Sequence, residues 1–144
     1  MTCIAWDGKT LAADKLMVNG ATRGTTTKIF RHAGELLGVT GNLSIGMEML
    51  AWLKDGADPD KYPASNRLLT EGCSLIRVRA DGSVLKYESS PFPFVVEGSH
   101  CAFGSGEESA MAAMHCGADA FRAVSVACMC NTGCGNGIDT LTLG

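Results

Sequence analysis

Thr2 is the residue whose type and position carry the most chemistry in this sequence. A small residue behind an initiator methionine normally permits removal of that methionine, which would leave Thr2 at the head of the chain. A free N-terminal threonine holds a nucleophile and its base on one residue. Its α-amine titrates near ~7.7–8.0 and reaches its own Oγ, whose proton it takes directly or through one water. A neighbouring cation would hold that amine neutral and steer the charge on the attacking oxygen. With Met1 retained, the Thr2 nitrogen is an amide and this chemistry is absent. Other groupings are weaker. Cys128, Cys130 and Cys134 with His115 lack the paired Cys-x2-Cys spacing of zinc sites, so neither metal nor cofactor is expected. Cys3 would become a terminal nucleophile only after loss of Thr2 as well. His100 beside Cys101 reads as structural, Glu107 and Glu108 suit the first turn of a helix, and Met47, Met49, Met111 and Met114 read as core or interface.

Taken singly, Lys28 reads as a solvated strand residue, Asp14 as a turn residue, Gly41 as the turn before a helix and Ser105 as a helix cap. What positions them must come from the elements around them. The chain of 144 residues fits one domain, 1–144, and its 46% hydrophobic and 19% charged content excludes a disordered tail. A net charge of −3 gives no electrostatic case for nucleic acid. No apolar run approaches the ~20 residues of a membrane span, and no basic-then-apolar leader is present. Seven cysteines at irregular spacing point to reduced thiols, hence to a cytoplasmic protein.

Asp7-Gly8 between two short apolar runs predicts a hairpin at the N-terminus, which would tie down residue 2. Residues 15–27 read as a loop or ragged strand. A second hairpin turns at Ala33-Gly34, and a helix from Leu43 to Lys54 is capped by Asn42. Residues 55–72 read as a loop with a helical turn near 66–71. Asp81-Gly82 turns a third hairpin, 89–98 is an extended connector, and 100–103 is a short buried strand. Ser105-x-x-Glu108 has the form of a capping box for a helix stopping at Gly117. Asp119 caps another helix with Phe121, Val124 and Cys128 on one face, and an alternating strand closes the chain from Ile138. Hairpins with helices packed outside them make a layered α+β domain.

Five short motifs, in this order, are Thr2-Cys3-Ile4-Ala5, Leu11-Ala12-Ala13-Asp14, Thr27-Lys28-Ile29-Phe30, Gly38-Val39-Thr40-Gly41 and Phe103-Gly104-Ser105-Gly106. Together the sequence resembles the N-terminal-nucleophile (Ntn) hydrolases of the proteasome β-subunit type, nearest to the small bacterial peptidases that work with a ring ATPase. The resemblance implies a four-layer αββα sandwich and a threonine-type endopeptidase. It assigns Thr2 as nucleophile, Lys28 as the lysine that lowers the pKa of the threonine amine, and Asp14 as the carboxylate paired with that lysine. Gly41 becomes the oxyanion N–H donor, Ser105 a hydroxyl on the threonine amine, and Val39 the floor of an apolar specificity pocket. It further implies a ring-shaped homo-oligomer, an ATPase partner and peptide or unfolded-protein substrates. The sequence departs from the family in two places. Asn131 and Cys134 stand where an Asp and a Ser support the amine, and the stretch between Lys54 and Ser74 is loop-like where the family carries a second long helix, so one outer helical layer is reduced. These departures keep open a catalytically inactive structural or gating ring subunit of the same fold, and, more remotely, a hydrolase of small amides.

Overall fold

The computed structural model describes residues 1–63 and 72–144. The first hairpin pairs β1 (Ile4–Trp6) with β2 (Thr10–Asp14), and a second, separate hairpin pairs β3 (Leu16–Asn19) with β4 (Thr22–Thr25). Next come β5 (Ile29–His32), β6 (Glu35–Thr40) and helix α1 (Leu43–Lys54), followed by a short 3-10 turn at Pro59–Lys61. Then follow β7 (Ser74–Val78), β8 (Val84–Tyr87), β9 (Phe94–Val96), β10 (Cys101–Phe103), α2 (Glu107–His115), α3 (Ala120–Cys130) and β11 (Ile138–Thr142).

The strands form a four-stranded sheet in the order β10-β1-β2-β11 and a five-stranded sheet in the order β5-β6-β7-β8-β9, both antiparallel. Alternation along each strand explains why both faces of both sheets are covered. In β6, Leu36 faces the other sheet while Leu37 and Val39 face α1, where they meet Ile45, Met49 and Leu53. In β1, Ile4 and Trp6 enter the cluster between the sheets, while Ala5, with Cys3 just before the strand, meets α2 and α3. That last contact is built from Ala110, Ala120, Ala123, Val124 and Ala127, small side chains that let the helices lie close to the sheet. Each large apolar side chain so buried contributes about 1.5–3 kcal/mol. Among the described residues no helix is long and apolar enough to cross a membrane.

Most predicted elements are present, and the differences have local causes. The stretch predicted as ragged is the regular β3–β4 hairpin, with Asn19 paired to Thr22 across a two-residue turn. The connector after Pro91 contains β9, a three-residue edge strand along β8, where prolines outside the paired stretch do no harm. Ser105 is not the cap of α2. Gly106 occupies that position without a side-chain bond, and the Ser105 hydroxyl is used elsewhere. Phe121 points outward, leaving Ala120, Ala123, Val124 and Ala127 as the buried face of α3. Met49 is core, whereas Met47 is exposed. The helical turn predicted at 66–71 lies outside the described residues.

Asp7 ties the first turn to a distant helix. Its Oδ1 accepts the N–H of Lys9 at 2.9 Å and of Thr10 at 2.8 Å, and its Oδ2 accepts the N–H of Ala120, the first residue of α3, at 2.8 Å. Partial burial works against its charge, but these N–H donors outweigh it and lower its pKa. Asp7→Ala is therefore expected to lose about 1–2 kcal/mol at neutral pH. That contribution is complete above the ordinary carboxylate pKa of about 3.9 and disappears as pH falls through the lower folded value. Urea melts of the two proteins should separate at pH 7 and converge in acid.

Candidate active site

Thr2 stands two residues before the start of β1, Asp14 ends the neighbouring β2, and Lys28 immediately precedes β5 in the other sheet. Lys28 crosses between the sheets to put its Nζ 2.9 Å from Asp14 Oδ1. Both are sealed from solvent, Lys28 at 1% and Asp14 at 0% exposure, and Thr2 is at 1%. A buried ion pair is tolerated only when its remaining hydrogen-bonding capacity is filled. Asp14 meets that condition. Its Oδ1 also accepts the Cys3 N–H at 2.9 Å, and its Oδ2 accepts Leu16 N–H and Gly135 N–H, each at 3.1 Å.

The ammonium and the threonine meet at the Met1 carbonyl oxygen, which accepts from Lys28 Nζ at 3.2 Å and from Thr2 Oγ1 at 2.7 Å. The Thr2 backbone N–H donates to Ser105 Oγ at 3.1 Å, so Ser105 stands at the nitrogen that Met1 removal would free. Met1 itself is 60% exposed. Gly106 N–H holds the Thr2 carbonyl from behind at 3.1 Å. Gly104 makes this approach possible, because its φ is +95° and a Cβ there would lie 2.2 Å from the Thr2 carbonyl oxygen.

Asn131 acts one step away from the threonine. Its Nδ2 donates to the Ser105 carbonyl at 2.9 Å, and its Oδ1 accepts Gly133 N–H at 2.7 Å, so it fixes the Ser105 backbone and its own loop. Cys134 is buried against Gly106. Burial and then the Asp14 charge push its thiol pKa up, against a hydrogen bond from Ser105, so it is a neutral group at ordinary pH. Burial likewise pushes Cys3 far up and Cys128 to about 11. Among the described residues no three His, Cys, Asp or Glu side chains converge to hold a metal ion.

Gly41 ends the turn between β6 and α1 at a φ of +84°, and a Cβ would sit 2.9 Å from the Cys73 Cα. Only glycine fits both constraints. Gly41→Ala is expected to destabilise the protein by at least about 1–2 kcal/mol, the cost of a left-handed residue with a Cβ. Thermal melts of the purified variant check this.

Two cavities open on either side of Thr2, and Gly41 lines both. One, of about 640 Å³, runs along the β3 residues Leu16, Met17 and Val18 and along Leu43. The other, of about 310 Å³, is lined by Thr40, Ser74, Lys86, Glu88, Ser105 and Glu107. Val39 lines neither. It is fully buried beneath α1, with the Gly46 backbone pressed on its side chain. A larger cavity of about 720 Å³ along Trp52, Lys54, Asp58 and Lys61 holds none of the groups around Thr2. The structure thus brings together Thr2, Asp14, Lys28, Gly41 and Ser105, places Asn131 and Cys134 just behind them, and leaves Val39 in the core. Sequence reasoning missed Leu16 and Met17 as cavity walls, because their strand was read as a ragged loop. It also missed the Gly135 N–H, since a backbone donor leaves no side-chain signature.

No family model and no curated protein matches the sequence. Solved structures do match over the whole chain. BPH of Thiobacillus denitrificans, in a complex with epoxomicin, superposes with a TM-score of 0.71 at 16% identity, covering 100% of each chain. A second structure of the same protein gives 0.69 at 16% identity, covering 99% of this chain and 98% of the other. The HslV of Trypanosoma brucei gives 0.69 at 17% identity, covering 98% of each. From its two antiparallel sheets and outer helices to this full-length superposition, the chain has the fold of the proteasome-like peptidases.

Proposed function

We propose that the chain is a threonine-type endopeptidase, a single domain of four αββα layers that becomes active when Met1 is removed. The observation that carries this reading is the sealed Asp14–Lys28 pair, whose ammonium shares one carbonyl oxygen with the Thr2 hydroxyl. A buried cation there favours the neutral α-amine, the form that acts as a base. The amine takes the Oγ proton as Oγ attacks the peptide carbonyl carbon, and the Gly41 N–H receives the developing oxyanion. The carbon–nitrogen bond then breaks, the amine passes its proton to the departing nitrogen, and an ester to Thr2 is left. Water, deprotonated by the same amine, attacks this ester, releasing the acid and restoring the hydroxyl. Ser105 orients the amine, and Asn131 holds Ser105 in turn.

The exposure of Met1 suits its removal by an external aminopeptidase. By analogy with its structural neighbours we further propose a ring of identical subunits that encloses the sites, an ATPase that feeds it, and unfolded protein or peptide as substrate in the cytoplasm.

The test is intact-mass analysis of the Met1-free protein after exposure to epoxomicin, which is bound by the structurally similar BPH. A single adduct mapping to Thr2, together with cleavage of peptides, supports the reading. A Met1-free protein that neither labels nor cleaves supports instead a noncatalytic ring subunit. The observation favouring that second reading is Asn131, whose side chain donates to the Ser105 carbonyl and accepts from Gly133 N–H and brings no negative charge to the amine.

A further inference from the structure

The two cavities beside Thr2 differ in chemistry, and proton transfer decides which half of a peptide each receives. The departing nitrogen takes its proton from the Thr2 amine, and the Thr2 nitrogen is the one that donates to Ser105 Oγ. Ser105 lines the smaller cavity and not the larger. The residue that leaves therefore occupies the smaller cavity, and the residue that forms the ester lies along Leu16, Met17 and Leu43.

The smaller cavity is polar and unbalanced in charge. Lys86 and Glu88 face each other across 3.8 Å, and the Lys86 ammonium also sits 5.9 Å over the Phe103 ring. Glu107, in the first turn of α2, has no cation within ion-pair distance among the described residues. Thr40 and Ser74, hydrogen-bonded to each other, add hydroxyl groups to the lining. A lysine or arginine side chain entering here finds one carboxylate in excess, while a glutamate or aspartate is repelled. Resting on the peptidase reading above, we infer that this cavity selects a cationic residue immediately after the scissile bond, with Glu107 as the residue that reads it.

The experiment uses internally quenched peptides with one common acyl half and Lys, Arg, Ala or Glu directly after the cleaved bond, given to Met1-free protein. The expected result is a kcat/KM for Lys and Arg about tenfold above that for Glu, the swing from one partly solvated attraction to one repulsion. Glu107→Lys should reverse the order, so that Glu is cleaved faster than Lys. Raised salt should shrink both differences. An epoxyketone carries no residue beyond its reactive group, so it reports on Thr2 without this cavity. Wild-type protein that takes the epoxyketone and cleaves all four peptides within about twofold overturns the inference and leaves the peptidase reading intact. Protein that neither labels nor cleaves overturns both. Retention of the Lys preference in Glu107→Lys removes Glu107 from the role.

Discussion

Met1-free Thr2→Ala is expected to cleave peptides at least about 10³-fold more slowly than the parent, the scale on which removal of a nucleophile acts. It should also form no epoxomicin adduct. The alanine variant keeps the nitrogen beside Ser105 and the carbonyl bond from Gly106, and loses only the hydroxyl. Its stability should fall by no more than about 1 kcal/mol. Activity and folding are thereby separated: a large kinetic loss with an unchanged melt assigns chemistry to the Oγ. Thr2→Ser, which retains a hydroxyl, should recover measurable turnover. Turnover by Thr2→Ala at the parent rate would remove Thr2 from the mechanism and leave the fold as the sole likeness to the peptidases.

The Asp14–Lys28 pair should show the largest effects on stability, and the two partners should not be equal. Lys28→Met leaves a buried carboxylate that still accepts three backbone N–H groups, from Cys3, Leu16 and Gly135. Its cost is expected near the lower end of the about 3–5 kcal/mol typical of a broken buried pair. Asp14→Ala strands the ammonium and also orphans those three donors, each worth about 1–3 kcal/mol when buried without a partner, so its cost should lie at or above the upper end. Asp14→Asn is a poor rescue, because one amide oxygen replaces a carboxylate whose two oxygens both face donors. Denaturant melts rank the three variants. Turnover should fall by about 10²-fold or more in Lys28→Met, since the terminal amine then loses the charge that keeps it a free base. Full activity in that variant at neutral pH would sink the role given to the lysine.

The hairpins were legible because their turns carry unambiguous chemistry. Ala33 and Gly34 both take positive φ, at 51° and 77°, as the tight turn between His32 and Glu35 requires. Asn42 and Asp119 cap their helices as their residue types imply, accepting from Ile45 N–H and Arg122 N–H. Ser105 shows where local pattern reading fails. Its capping-box spacing is real, but a long-range bond to Thr2 captures the hydroxyl, and sequence separation of 103 residues hides such a partner. The placement of Val39 in the core was hidden for a related reason. Strand alternation says only that it faces the opposite way to Gly38, and whether that side is a cavity or a packed core depends on Gly46 of α1 lying against it. The roles of Lys28 and Asp14 were not readable from either residue alone, since their pairing spans two sheets.

Asp14 draws one of its four donors from Gly135, 121 residues downstream, and β2 acquires β11 as its neighbour from the same region. This has a consequence in time. Asp14 is synthesised 121 residues before Gly135, so the set of donors around its carboxylate stays incomplete until that later segment has been made. The fold thereby delays completion of the surroundings of Asp14, and a chain that stops short of Gly135 lacks one of the four donors.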